Sequence, residues 1–105
     1  MTGIRCNSYA AYCDARRALG WKVVVCTLLP SNRYANFNVD RATVNAALRG
    51  WVGVHCDALV DFAADATMGP DSACTNTTYY IDGIHPTEAG HNILMPIWKQ
   101  VIDGM

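Results

Sequence analysis

The sequence is poor in charged residues: Asp, Glu, Lys and Arg make up 16% of its 105 residues, and the formal net charge at pH 7 is -1. Its basic residues are scattered along the chain, apart from the adjacent pair Arg16 and Arg17. Proteins that bind nucleic acid or an anionic membrane surface concentrate positive charge in one stretch or on one face. We therefore expect neither kind of partner for this chain.

Long apolar segments are missing as well. The longest apolar run covers residues 23–30, whereas a membrane-spanning helix needs about 20 consecutive apolar residues. The sequence also begins without the charged and then apolar order of a signal peptide. We expect a soluble chain with no membrane span, and its compartment stays open.

The chain has five cysteines, at positions 6, 13, 26, 56 and 74, and none belongs to a Cys-x-x-Cys motif. This spacing argues against a zinc ribbon or a thioredoxin-like redox site. His55 beside Cys56 has no second ligand pair at a recognised spacing, so we expect neither a metal nor a cofactor. Cys26, in an apolar run, is expected to be a small buried residue, whereas Cys74, in a polar loop, could form a disulfide in an oxidising compartment.

What is present is a composition that suits one globular domain, with 51% hydrophobic residues. The first predicted element is a helix over Tyr9–Leu19, with Ser8 as its N-cap and Gly20 as its stop. Trp21–Leu29 follows as an apolar run ended by Pro30, typical of a strand buried on both faces of a parallel sheet. The apolar face of the helix is expected to comprise Ala11, Ala15, Ala18 and Leu19.

A second helix is predicted between Arg33 and Gly50, and a second strand over Asp57–Phe62, where a parallel sheet requires the chain to return. The residues recurring at helical spacing, which should face the core, are Val44, Ala47, Leu48 and Trp51. The opposite face should be solvated and carries Arg41, Asn45 and Arg49. Ala63–Ile81 is a long polar connection, which we expect to border a functional site.

The last predicted helix begins after Thr87, an N-cap candidate, with Glu88 in its first turn and Pro96 as a predicted kink. Its apolar face should comprise Ile93, Leu94, Ile97, Trp98, Val101 and Ile102. The element order predicts an α/β fold with two parallel strands and three helices. Because the first strand has one companion only, its other edge should present unpaired backbone groups.

The stretch with the clearest chemistry is Asp82-Gly83-Ile84-His85-Pro86. Gly83 and Pro86 favour a turn that brings the Asp82 carboxylate back to the ring of His85. A carboxylate on Nδ1–H leaves the other ring nitrogen able to accept a proton from a hydroxyl nucleophile. Asp82 and His85 are therefore the predicted catalytic residues. The alternative is a plain turn in which Asp82 accepts only backbone hydrogen bonds. His91, the other histidine near this stretch, is interpreted as a surface residue.

The segment Asp82-x-x-His85-Pro86-Thr87-x-x-Gly90 resembles the C-terminal signature of the SGNH (GDSL-type) ester hydrolases. The run 23–30 is similar to the fourth strand of that family, 41–48 to the following helix, and 58–62 to its fifth strand. The resemblance implies a flavodoxin-like three-layer α/β/α sandwich. It also implies that residues 1–105 form a single partial domain, the C-terminal part, which lacks the family's Ser, Gly and Asn motifs.

No serine of the chain lies in a Gly-Asp-Ser motif. Ser8 is better explained as a helix cap, and Ser31 and Ser72 as loop and turn residues. We therefore expect a C-terminal part of an ester hydrolase that is inactive alone and acts on an ester substrate with a complementary N-terminal half. The alternatives are a non-catalytic module that pairs through its sheet edge with a partner or with itself, and a stand-alone hydrolase with a recruited serine.

Overall fold

A computed structural model describes residues 3–105, with side chains from Cys6 onwards. Within these residues the chain forms three α-helices and two parallel strands, which confirms the predicted α/β class. The elements are α1 (Gly3–Ala18), β1 (Val24–Cys26), α2 (Phe37–Arg49), β2 (Ala58–Val60) and α3 (Glu88–Asp103), with short 3-10 turns at Phe62–Ala64 and Asp71–Thr75. The two strands pair in register, with Val25 opposite Leu59.

Both strands are shorter than the apolar runs that predicted them. β1 keeps three residues of Trp21–Leu29, and Trp21 is 63% exposed. The expected burial on both faces is wrong, because Val25 is fully buried while Val24 and Cys26 are only partly buried. Beyond the two ends of β1, side chains bond to the backbone in place of a neighbouring strand. Asp57 Oδ2 accepts the amide of Val23 at 2.8 Å, and Asn45 Oδ1 accepts the amide of Leu28 at 2.7 Å.

Helices α1 and α2 share one core cluster with Val25 of β1. Its buried residues are Ala10, Cys13, Val25, Val44, Leu48, Trp51 and Cys56. The prediction for α1 is wrong in two respects. Ser8 lies inside the helix rather than at its cap. The expected apolar face is exposed, and Cys6, Ala10 and Cys13 face the core instead. These three side chains are small and recur at helical spacing, so they allow α1 to pack closely. Gly20, at a φ of +92°, follows the helix end as predicted.

Helix α2 lies within the predicted range and buries Val44, Leu48 and the following Trp51, as expected. The expectation that its opposite face is solvated holds for Arg49 alone. Arg41 is 6% exposed and Asn45 is 3% exposed. Both side chains turn inward because they bond to backbone groups that the short strand leaves unpaired.

A second core cluster lies under α3 and includes the connection between β2 and that helix. Its buried residues are Met68, Ala73, Cys74, Tyr80 and Leu94. The Tyr80 hydroxyl donates to the carbonyl of Met68 at 2.7 Å, and burial raises the pKa of Tyr80 to about 12. The polar segment 63–81 is therefore tied to the core by its own buried side chains.

Helix α3 begins as predicted, with the Thr87 hydroxyl accepting the amide of Gly90 at 3.2 Å. Its apolar face is covered only in part: Leu94 is buried, whereas Trp98 is 41% exposed. Pro96 lies inside the helix, and its kink stays a prediction. None of the helices in the described residues combines the length and the apolar character needed to cross a membrane.

Candidate functional site

The Asp82–His85 segment forms a closed loop in front of α3. Tyr80 and Pro86 are joined by an antiparallel bridge, and the amide of Ile81 donates to the carbonyl of His85 at 2.8 Å. Between them Gly83 adopts a φ of +80°, a conformation that residues with a Cβ rarely adopt. The loop is therefore closed at its base and reverses at a glycine.

Asn32, in the loop after β1, holds the tip of this turn from outside. Its backbone N–H donates to the carbonyl of Gly83 at 3.0 Å. Its side chain lies so close that a Cβ on Gly83 would stand 2.1 Å from Asn32 Nδ2. Sequence reasoning missed Asn32 because it lies far from the motif along the chain and has no motif of its own.

The Asp82 carboxylate bonds to both the backbone and the ring of His85. Oδ1 accepts the amides of Ile84 at 2.9 Å and His85 at 2.8 Å, and Oδ2 lies 2.8 Å from His85 Nδ1. These contacts, the backbone bond from His85 first, lower the pKa of Asp82 to about 2. The carboxyl group is therefore ionised at neutral pH.

The charge state of Asp82 determines the tautomer of a neutral His85. An ionised carboxylate can only accept hydrogen bonds, so the proton of the neutral ring must be on Nδ1. Nε2 then has a free lone pair. The His85 side chain is 70% exposed, and that of Asp82 is 47% exposed. The predicted pair thus presents an oriented imidazole at the surface.

The three serines weighed as nucleophiles lie in separate places. Ser8 is an exposed residue of α1, and Ser72 is exposed in the second 3-10 turn. Ser31 is buried, and its hydroxyl accepts the amide of Arg33 at 3.0 Å. Its surroundings are those of a local turn.

An apolar groove of about 420 Å³ begins at Pro86, the residue after His85. It runs along α3, and its lining residues are Leu29, Phe62, Pro86, His91, Leu94, Met95 and Trp98. His91 is exposed, in agreement with its interpretation as a surface residue. The groove therefore lies between the candidate pair and the uncovered part of α3.

A second Asp–His contact joins α1 to the segment before β2. His55 Nδ1 lies 2.8 Å from Asp14 Oδ1, and the ring of His55 meets Trp51 edge-on at a centroid distance of 5.2 Å. The sequence analysis missed this pair because its members are 41 residues apart. Within residues 3–105, no three His, Cys, Asp or Glu side chains are grouped as a metal site. His55 is thus held by a carboxylate and an aromatic ring.

At the carboxyl ends of the strands, a polar network fixes the chain as it leaves the sheet. The Thr27 hydroxyl donates to Asp61 Oδ1 at 3.0 Å, and Arg49 donates to both oxygens of Asp61 at 2.9 Å. The Arg49 bonds contribute most to lowering the pKa of Asp61. This network stabilises the end of β2 that leads to the groove.

Comparison with protein-family models, with curated proteins and with solved structures yields no match for this chain.

Proposed function

We propose that this chain is the C-terminal part of an SGNH-like ester hydrolase, in which Asp82 and His85 form the acid–base half of a Ser-His-Asp triad. The observation that carries the proposal is the 2.8 Å contact between Asp82 and His85 Nδ1, on an exposed ring with Nε2 free to accept a proton. The proposal includes the flavodoxin-like sandwich, with its remaining strands and the nucleophilic serine on a segment outside this sequence.

In the proposed reaction, His85 Nε2 accepts the proton of the serine hydroxyl as the serine oxygen attacks the ester carbonyl. The ring then gives this proton to the leaving alcohol oxygen, and an acyl-serine remains. His85 next accepts a proton from water as the water oxygen attacks the acyl carbonyl. The ring then gives this proton to the serine oxygen, which leaves as the hydroxyl and releases the acid. Throughout, the carboxylate of Asp82 holds the ring and stabilises the imidazolium.

Complementation tests the proposal. The chain would be mixed with candidate N-terminal halves that carry Gly-Asp-Ser and Gly-x-Asn-Asp motifs, and hydrolysis of 4-nitrophenyl acetate would be followed. We expect activity only in the mixture, and a loss of about a thousandfold or more with His85→Ala. His91→Ala, on the neighbouring surface, serves as the matched control. Hydrolysis that survives His85→Ala would refute the role given to that residue.

The same assay of the chain alone addresses the stand-alone hydrolase. Activity without a second chain, removed by Ser31→Ala or Ser72→Ala, would support that alternative. Because the Ser31 hydroxyl is bonded in a turn, we expect the chain alone to be inactive.

A non-catalytic module that pairs through its sheet edge is a second candidate, and the geometry of β1 favours it. The carbonyl of Val23 and the amide of Thr27 bond to β2. Because the backbone groups of successive residues in a strand point to opposite edges, those of Val24 and Cys26 point away from β2. Edges of this kind recruit another strand. The molecular mass in solution discriminates, since a stable monomer at micromolar concentration would count against self-pairing.

A further inference from the structure

A pocket that differs in character from the His85 site lies at the amino end of β1. It has a volume of about 320 Å³ and is lined by Tyr12 and Arg16 of α1 and by residues 21–24. The His85 loop is held by Asn32, which follows the opposite, carboxyl end of β1. The two sites are thus at opposite ends of the strand.

Two aromatic rings of this pocket are largely open to solvent. Tyr12 is 59% exposed and Trp21 is 63% exposed. Large aromatic side chains bury much apolar area when they are covered, and adjacent exposed ones commonly mark binding surfaces. These two rings therefore offer apolar surface to a ligand that enters the pocket.

Arg16 adds a cation that is incompletely satisfied. Its guanidinium carbon lies 5.1 Å from the centroid of the Tyr12 ring. Its Nε is buried and has no hydrogen-bond partner among the described residues. A buried donor without a partner is unfavourable, and the arginine that carries it lines the pocket. The neighbouring Arg17, by contrast, donates to the carbonyl of Val54 at 2.9 Å.

The balance of charge around the pocket is positive. Lys22 is a second lining cation, next to Trp21. Asp57 is a carboxylate close to Lys22, and it is already bonded to the amide of Val23 at 2.8 Å and paired with Arg17 at 3.4 Å. The residues that line the pocket therefore include two cations, Arg16 and Lys22, and no carboxylate.

We propose that this pocket binds a small ligand that combines a planar aromatic ring with an anionic group, a carboxylate or a phosphate. The ring stacks on Trp21 and Tyr12, and the anion accepts hydrogen bonds from Arg16 and Lys22. A neutral ring would leave the cations unpaired, and an inorganic anion would leave the rings uncovered. The site is independent of the proposed hydrolase function.

Phenyl phosphate and benzoate are suitable probes, with inorganic phosphate and phenol as partial probes. Binding would be followed by NMR through the indole N–H signals of the three tryptophans, with the Trp21 signal assigned by Trp21→Phe. We expect both probes to shift the Trp21 signal saturably and to leave that of Trp98 unchanged. Saturation should occur at about tenfold lower concentration than with inorganic phosphate or phenol, because only the combined probes use rings and cations together. Stronger binding of phenyl phosphate or of benzoate would identify the preferred anion.

Arg16→Gln should weaken binding of the preferred probe about tenfold, the loss of one charge-assisted hydrogen bond. Arg33→Gln, an exposed arginine outside the pocket, is the matched control and should bind as the unmodified chain does. Unfolding curves of both variants verify that the fold is intact. A Trp21 shift that does not saturate, equal affinity of Arg16→Gln, or inorganic phosphate bound as tightly as phenyl phosphate would overturn the proposal.

Discussion

The carboxylate of Asp82 accepts the backbone amide of His85 with one oxygen and contacts the ring nitrogen Nδ1 of the same residue with the other, both at 2.8 Å. The orientation of the imidazole is thus coupled to the backbone turn that carries it. The plain-turn interpretation and the ring-orienting interpretation are therefore two aspects of one geometry. Any change that opens the turn should also release the ring.

The pH dependence of stability should reveal the Asp82 contacts. The contacts of Asp82 lower its pKa to about 2 from its ordinary value of 3.8. Its contribution to the free energy of unfolding is therefore present above the unfolded pKa and is lost as the pH falls through the folded pKa. We expect the free energy of unfolding of the unmodified chain to exceed that of Asp82→Asn near neutral pH. The difference should shrink as the pH falls from about 4 to about 2.

Urea unfolding of both proteins over this pH range measures the difference. The asparagine keeps an acceptor for the backbone amides and removes the charge, so it isolates the ionised form. Other carboxyl groups with lowered pKa values, such as Asp61, titrate in both proteins and cancel. A difference that stays constant with pH would show that the ionisation of Asp82 does not contribute.

Arg41 should be among the most important polar side chains for stability. It donates to the carbonyls of Leu28 at 3.0 Å and Gly69 at 2.6 Å and to Asp71 at 2.7 Å, while only 6% exposed. Arg41→Met would leave the buried carbonyl of Gly69 unpaired, at a cost of about 3 kcal/mol in the free energy of unfolding. Arg49→Met removes a more exposed ion pair and should cost about 1 kcal/mol or less. Chemical denaturation would compare them, and equal costs would contradict the buried role of Arg41.

Asn45 should protect the end of β1. Its side chain accepts the amide of Leu28 at 2.7 Å and donates to the carbonyl of Leu28 at 3.0 Å, as a neighbouring strand would. Asn45→Leu keeps the volume similar but leaves the Leu28 amide unpaired, which should cost about 2 kcal/mol. The Leu28 carbonyl keeps its bond from Arg41. Hydrogen exchange of the Leu28 amide should become faster. Ala46→Leu, at an exposed position of the same helix, is the control, and unchanged Leu28 exchange in Asn45→Leu would disprove this capping.

Gly83→Ala should open the candidate site. The φ of +80° alone would cost about 1–2 kcal/mol for a residue with a Cβ, and the new methyl group would collide with Asn32. Combining it with Asn32→Ala removes the collision but not the backbone strain. The added cost of Gly83→Ala should therefore be smaller in the Asn32→Ala background, as thermal unfolding would measure. Equal costs in both backgrounds would show that Asn32 does not press on Gly83.

The local features of the fold could be predicted because neighbouring residues determine them. Thr87 caps α3 through a contact three residues away, and Asp82 reaches His85 over the same separation. The range of α2 likewise follows from apolar residues at helical spacing. For such features the sequence alone contains the interacting partners.

The burial of polar side chains could not be predicted, because it depends on where the sheet ends. Arg41 and Asn45 occupy positions that helical periodicity assigns to solvent, yet both are drawn inward by the unpaired carbonyl of Leu28. Similarly, the alanines of α1 were expected to face the core, and small side chains at 6, 10 and 13 face it instead. Hydrophobic spacing does not reveal a hydrogen-bonding demand that arises on another element.

By itself, then, the sequence determined the α/β class, the start of α3 and the proximity of Asp82 to His85, all through short-range contacts and apolar periodicity. Only the tertiary structure decided that Asn32 supports Gly83, that Asp14 meets His55, and that Arg16 lies over Tyr12 beside Trp21. The physical reason is that the fold brings together chain segments whose packing and unpaired polar groups no local pattern specifies.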